Sequence, residues 1–340
     1  MQKIFLKFFK IFLLLLANIG GNFAQNVCFC VTTGNCGTST SGSTDGSNSI
    51  DIRIVAPTGT TLSPTVSPST VFLSCQAGLS VCCLASYQCG IRYPPVAQAP
   101  QPAPGSGHTS FVLLAASDSS YQGSGVLIDH LHVLTVAHKV SSFASNGQQL
   151  KVRLGEWDAS QSVEPIPAQE YFVSRIFIHP AFNSANLKND VAILRLSNSV
   201  LLGQTPTITT ACLPSAQITG QRCFVAGWGK TEFNGGTYSS ISKEVDVPIV
   251  DQNTCQNQLR LTRLSSTFQL DFVSFMCAGG EAGKDACVGD GGSPLVCKVG
   301  NNWFVAGLVA WGIGCAQANV PGVYVNVVNY ISWIQQTTRS

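Results

Sequence analysis

Charge is scarce in this chain. Only 11% of its 340 residues are Asp, Glu, Lys or Arg, and the 19 basic side chains are nearly matched by 17 acidic ones. No basic footprint for nucleic acid or an anionic membrane is available. No long apolar run follows the first 24 residues, which gives no further segment for spanning ~30 Å of hydrocarbon. No Asn-X-Ser/Thr acceptor is present, and no CxxC pair lies near a histidine, which argues against a zinc site. A low charge fraction with 32 Gly and 16 Pro suits a turn-rich, all-β chain better than a helical one.

What the chain does have begins with a leader. Lys3, Lys7 and Lys10 precede the apolar run Ile11–Ala17, a basic region followed by a core too short for a membrane anchor. Residues 1–24 therefore read as a signal peptide, with cleavage near Ala24. Its removal takes three lysines from the 19 basic residues and leaves 16 against 17 acids. All 14 cysteines lie beyond it. An even number in a secreted chain reads as up to seven disulfides.

Six of them, Cys28, Cys30, Cys36, Cys75, Cys82 and Cys83, fall in a Ser/Thr/Gly-rich segment. Its only strand-like alternation is Ile50–Val55. So small and polar a module buries little apolar surface, and disulfides must substitute for a core. Cys89 and a Pro-rich tract from Tyr93 to Gly105 follow, an extended linker by composition. The expected organisation is a cysteine-rich module at 28–83, a linker at 84–108 and a large domain at 109–340. In the last, short β-branched runs recur between Gly, Asn and Asp turns: 151–154, 191–196, 223–228, 244–250, 294–298, 304–311 and 322–327, a sandwich or barrel signature. Val327, Tyr330, Ile331 and Ile334 share one face of a closing helix.

Three segments carry chemistry: Val133-Leu-Thr-Val-Ala-His138, Asn189-Asp-Val-Ala-Ile-Leu194 and Asp285-Ala-Cys-Val-Gly-Asp-Gly-Gly-Ser-Pro294. With Ala226-Gly-Trp-Gly229 and Pro321-Gly-Val-Tyr324, they resemble the chymotrypsin/trypsin family from about residue 109 onward. The resemblance implies a double antiparallel β-barrel with a C-terminal helix. His138 matches the family's general base and Asp190 the buried carboxylate that orients it. The family's Gly-Asp-Ser-Gly-Gly-Pro reads Gly289-Asp-Gly-Gly-Ser-Pro294 here, so the nucleophile position is Gly291. Glycine offers no atom for His138 to activate. Ser293 lies two residues on, ~6–7 Å away in extended chain, too far to substitute for a group that must come within ~3 Å of its base, and reads as a surface or loop serine. The retained His138–Asp190 pair reads either as residual chemistry or as a structural hydrogen bond.

Asp285 matches the residue that gives trypsin-like members their Arg/Lys preference, and Gly312 and Gly322 match the glycines that keep that pocket open; the competing reading is a solvated acid in a loop. The resemblance implies disulfides Cys223–Cys297, Cys255–Cys277 and Cys287–Cys315. Cys89 and Cys212 are left to tie the linker to the large domain. The family's bridge beside the histidine is missing as a pair, with Lys139 and a position near Gln122 in its place. Glu156 and Glu170, with Glu164 between them, flank a loop that binds Ca²⁺ in some members. Oxygen ligands suit that ion, but solvated acids are the alternative.

Active members are cut before Ile-Val-Gly-Gly, and the new amine pairs with the aspartate at the position of Asp290. Here the corresponding region reads Pro94-Pro-Val-Ala97. The N-terminal cysteines resemble the arthropod clip domain, which implies Cys28–Cys82, Cys30–Cys75 and Cys36–Cys83. Cys89-Gly-Ile-Arg92 also resembles clip-domain serine protease homologues, a group that carries the same serine-to-glycine replacement. The resemblance implies a secreted haemolymph protein that acts as a non-catalytic cofactor or regulator in prophenoloxidase activation and melanisation, or in complement-like deposition. It implies partners among prophenoloxidase, clip proteases or complement-like factors, and oligomers formed after cleavage. The competing readings are an inhibitor or decoy that holds Arg-containing partners in the Asp285 pocket, and a weak hydrolase.

Arg53 and Arg92 are the two basic residues in 25–110, so a trypsin-like protease that cleaves this segment must use one of them. Fragments from such a digest should run together on non-reducing gels and separate only after reduction. Separation without reductant would contradict the Cys89–Cys212 bridge.

Overall fold

The computed structural model describes residues 28–32, 79–83, 89–91, 111–160, 166–202 and 207–340. The chain forms two compact units, 1–87 and 88–340. In the first, strands β1 (Cys28–Thr32) and β2 (Leu79–Cys83) pair antiparallel, with Cys28 opposite Cys83 and Cys30 opposite Val81. The pairings expected among Cys28, Cys30, Cys36, Cys75, Cys82 and Cys83 rest on side chains outside the described residues, as do residues 1–24, the 50–55 segment, Arg53 and Arg92.

The second unit holds two closed six-stranded antiparallel barrels. The first is built from β3 (Phe111–Ala116), β4 (Tyr121–Leu127), β5 (His132–Thr135), β6 (Leu150–Leu154), β7 (Gln169–Ile178) and β8 (Ala192–Leu196), in the order β3-β4-β5-β8-β7-β6. A helix, α1 (Ala137–Asn146), leaves β5. The second barrel uses β9 (Arg222–Gly227), β10 (Lys243–Val250), β11 (Phe275–Gly279), β12 (Pro294–Val299), β13 (Asn302–Trp311) and β14 (Pro321–Asn326), in the order β10-β11-β14-β13-β12-β9. Helix α2 (Gln252–Arg260) starts at Asp251, whose carboxylate accepts from the Thr254 amide at 3.0 Å and satisfies one of the helix's orphan donors. The chain closes with a 3₁₀ turn (Val327–Tyr330) and α3 (Ile331–Thr338), where Val327, Tyr330 and Ile334 are buried.

Alternation decides where each side chain goes. In β3, Val112 and Leu114 enter the first barrel's core, while Leu113 and Ala115 pack on Trp228 of the other half. Both faces are covered, and so the strand reads as an unbroken apolar run. A continuous core bridges the barrels, from Leu134 and Ile193 on one side to Phe275, Leu308 and Val325 on the other.

Disulfides tie β9 to β12 (Cys223–Cys297), α2 to β11 (Cys255–Cys277) and two loops of the second barrel (Cys287–Cys315). Cys89–Cys212 pins the start of the second unit to its barrel. Around it the chain adds a short run of hydrogen bonds: Gly90 N–H donates to the Thr210 carbonyl at 2.6 Å, Trp303 N–H to the Gly90 carbonyl at 2.9 Å, and the Asn302 amide to the Cys89 carbonyl at 2.6 Å. Gly90 has φ +69°, and a Cβ there would lie 2.5 Å from the Trp303 carbonyl oxygen. Only glycine fits both demands. Gly90→Ala should cost about 2 kcal/mol or more of stability, measured by denaturant unfolding under non-reducing conditions; wild-type stability would mean that this segment is not docked as described.

Candidate functional site

The site lies on the seam between the barrels. His138 is in the first turn of α1, directly after β5. Asp190 precedes β8 and is fully buried. Asn189 before it takes φ +56°. Its side chain donates to the Ala181 carbonyl and accepts from the Tyr330 hydroxyl, while its amide donates to Ser274 Oγ. That turn fixes the approach to Asp190. Asp190 Oδ2 meets His138 Nδ1 at 2.6 Å, and Oδ1 accepts from the His138 amide at 2.8 Å. With both oxygens engaged, the imidazole is held with Nε2 facing outward.

Gly291 faces that nitrogen. A Cβ at position 291 would lie 3.2 Å from His138 Nε2, so the backbone sits where a nucleophile's side chain would meet its base. The space is not vacant. The same Cβ would lie 2.5 Å from Lys139 Cε. The lysine's aliphatic stem also runs over Gly123, whose own added Cβ would lie 3.3 Å from Lys139 Cγ. Lys139 thus fills the ground of the absent side chain. In the sequence this residue registers only as half of a missing disulfide. The signal that could have found it is the pairing of one long side chain beside His138 with glycines at both 123 and 291.

The crossing between barrels fixes this geometry. The Ser124 amide donates to the Gly291 carbonyl at 3.0 Å, and Thr135 Oγ1 donates to the Ser124 carbonyl at 2.7 Å. Gly292 has φ +86°, and a Cβ there would come within 2.1 Å of the Ser124 oxygen. Ser293, expected at the surface or in a loop, is instead fully buried at the start of β12. Its Oγ points at Gly227, where a Cβ would lie 2.7 Å away, and it has no hydrogen-bond partner among the described residues. The chain reverses side-chain direction between 291 and 293 into the β12 core, away from His138.

A pocket of about 160 Å³ opens beside the pair, lined by His138, Lys139, Trp311, Gly312 and Gly322, with Asp285 and Tyr324 also in its wall. Asp285 Oδ2 accepts from the Ala316 amide at 3.0 Å, while Oδ1 is buried without a partner, as is the Tyr324 hydroxyl. Both atoms converge on Gly322: a Cβ there would lie 3.2 Å from Asp285 Oδ1 and 3.5 Å from Tyr324 Oη. Desolvation raises the Asp285 carboxyl to about 6, against the opposing pull of backbone hydrogen bonds from Ala316 and Ala286. Asp290 accepts from the amides of Gly229 at 2.8 Å and Cys287 at 2.9 Å. Burial raises its carboxyl, with Lys139 acting in the opposite direction.

The two described acids of the expected calcium loop are engaged in ion pairs. Glu170 pairs with Lys151 at 3.1 Å and with Arg153 at 3.2 Å, and Glu156 pairs with the same Arg153 at 3.4 Å. The Arg153 guanidinium contacts both carboxylates, and Glu164 lies outside the described residues. Among the described residues no cluster of three or more His, Cys, Asp or Glu is arranged for a metal ion.

Two six-stranded antiparallel barrels, with a His–Asp pair and an acid-floored pocket at their seam, define the chymotrypsin-type serine-protease fold. Residues 100–334 match the trypsin family profile, and residues 20–84 match the profile for the "Serine protease Clip domain PPAF-2". The chain belongs to the trypsin family, and its N-terminal segment to the clip domains. It is 55% identical over 326 residues to the "Inactive CLIP domain-containing serine protease A3" of Aedes aegypti, covering 93% of this chain and 68% of that protein. It is 47% identical to "Phenoloxidase-activating factor 2" of Galleria mellonella, over 63% of this chain and 71% of that one. Against Sus scrofa trypsin the identity is 33%, over 66% and 88%.

The Asp285 carboxyl gives a pH test. Its folded value, pushed up to about 6 and so above the ordinary carboxylate range, means that the native state binds a proton more tightly than the unfolded chain. The associated stability is present below pH 4 and is lost as pH rises through 6. Asp285→Asn should therefore gain stability relative to wild type between pH 4 and 6.5. Parallel unfolding midpoints across that range would contradict the buried, charge-disfavouring pocket floor.

Proposed function

We propose that this chain is a secreted serine protease homologue that binds rather than cleaves, and that it acts as a non-catalytic cofactor or regulator in an extracellular immune proteolytic cascade. The observation that carries the reading is Gly291: the backbone is placed for a nucleophile within reach of His138, and no side chain is there. In well-studied serine proteases loss of the serine costs about 10⁶ in turnover. What remains over water, about 10³-fold, comes from oxyanion stabilisation and binding. Ser293 is turned into the core and cannot reach the histidine.

The cascade assignment draws on the names of similar proteins, one called inactive and one a phenoloxidase-activating factor. A clip domain before a trypsin-family domain is the same layout. Among the described residues no helix is long and apolar enough to cross a membrane. Secretion rests on the basic-then-apolar leader and the cysteine count. A second reading, an inhibitor or decoy for Arg-containing partners, is favoured by one feature: Asp285 Oδ1 waits unpaired at the floor of a formed pocket.

A tripeptide-amide assay with Arg at the cleaved position separates binding from hydrolysis. Wild type should show no turnover above an Asp190→Asn control, and turnover above that control would sink the non-catalytic reading. Gly291→Ser alone should stay far below a working protease, because the new Cβ meets Lys139 and because no Ile-Val-Gly-Gly terminus exists to pair with Asp290. Trypsin-like activity in that variant would refute both points while leaving the role of Gly291 intact.

A further inference from the structure

Lys139 is unusual in where its charge sits. Its stem is packed between Gly123 and Gly291, and the residue lines the pocket. Among the described residues it makes no ion pair and no hydrogen bond; Asp190 and Asp290 act on it only at longer range. Burial lowers its affinity for its proton, which those two aspartates oppose. A partly desolvated ammonium without an acceptor calls for an anionic partner. Across the same pocket, Asp285 Oδ1 and the Tyr324 hydroxyl are buried and unpartnered. One wall of the pocket thus asks for an anion and its floor asks for a cation.

We propose that this cleft reads the products of proteolysis: it binds a polypeptide that ends in Arg or Lys, with the basic side chain on Asp285 and the free terminal carboxylate on the Lys139 ammonium. The inference rests on the pocket reading given above and adds the chain terminus to it. In an active protease the carbonyl of the bound basic residue lies against the nucleophile. Here that ground is held by Lys139 Cε, 2.5 Å from where the nucleophile's Cβ would be, with a cation at its tip. An uncut chain offers this cation only a neutral amide carbonyl, and its continuation must pass the lysine. A chain already cut after Arg or Lys offers a full negative charge and ends there. Replacing the nucleophile by glycine and the neighbouring disulfide cysteine by lysine converts the reacting corner into a carboxylate seat.

The test uses the full-length protein and four fluorescent peptides, three of six residues and one longer, measured by anisotropy at low salt. One ends in Arg with a free carboxylate, one is its C-terminal amide, one continues for four residues beyond the Arg, and one ends in Gln with a free carboxylate. The free Arg terminus should bind at least about tenfold more tightly than the amide and the extended peptide, the range expected for one charge-assisted hydrogen bond. Lys139→Met should remove that preference and keep Arg over Gln, Lys139→Arg should retain much of it, and Asp285→Asn should remove the Arg preference instead. Equal binding of the acid, amide and extended Arg peptides would overturn the inference and leave the pocket reading standing. No preference for Arg over Gln in any form would overturn both. The first comparison needs only the wild-type protein, so it does not depend on the folding of any variant.

Discussion

The Ser124 amide donating to the Gly291 carbonyl across the seam is the contact on which the site depends. It links a strand of the first barrel to the loop that leads into β12 of the second. The link is tight enough that Gly292 admits no side chain against Ser124. Because this crossing is kept, position 291 stands within reach of His138, and His138 stands on Asp190. The His138–Asp190 pair therefore faces a backbone position, Gly291, that carries no side chain.

That frame explains why the His–Asp pair persists. Asp190 is fully buried, and a carboxylate in that position must be satisfied by donors. The His138 amide and ring supply them. Removing the histidine would leave a buried charge uncompensated, a cost of several kcal/mol in comparable cases. The pair holds together two strand ends of the first barrel whether or not any chemistry follows. The pocket floor is different: Asp285 keeps an unpaired oxygen at a cost in stability, which is what a site held ready for a ligand does.

Much of this was legible in the sequence, for physical reasons. Seven strands of the second unit announce themselves as β-branched runs between turns. Three of the other five are hidden for visible reasons: β4 is interrupted by Gly123 and Gly125, β5 spans only four residues, and β7 carries Glu170, Ser174 and Arg175 on a partly exposed sheet. His138, Asp190, Gly291 and Asp285 are fixed by local motifs, so their positions could be read. Lys139 could not, because its meaning lies in the distance to a residue 152 places away. The same limit applies to Glu156 and Glu170: their spacing suggests a cation loop, while their shared contact with Arg153 follows from the strand register of β6 on β7, which spacing does not give. Ser293 was misplaced because spacing gives a distance and not the direction in which the side chain leaves the chain.

The central claim is that the corner facing His138 holds no nucleophile. Incubating the full-length protein with a fluorophosphonate, which phosphonylates activated serine hydroxyls, tests it most directly by intact mass. The account predicts an unmodified chain under conditions in which trypsin is fully labelled. A single stoichiometric adduct on any residue of the pocket, or on Ser293, would contradict it.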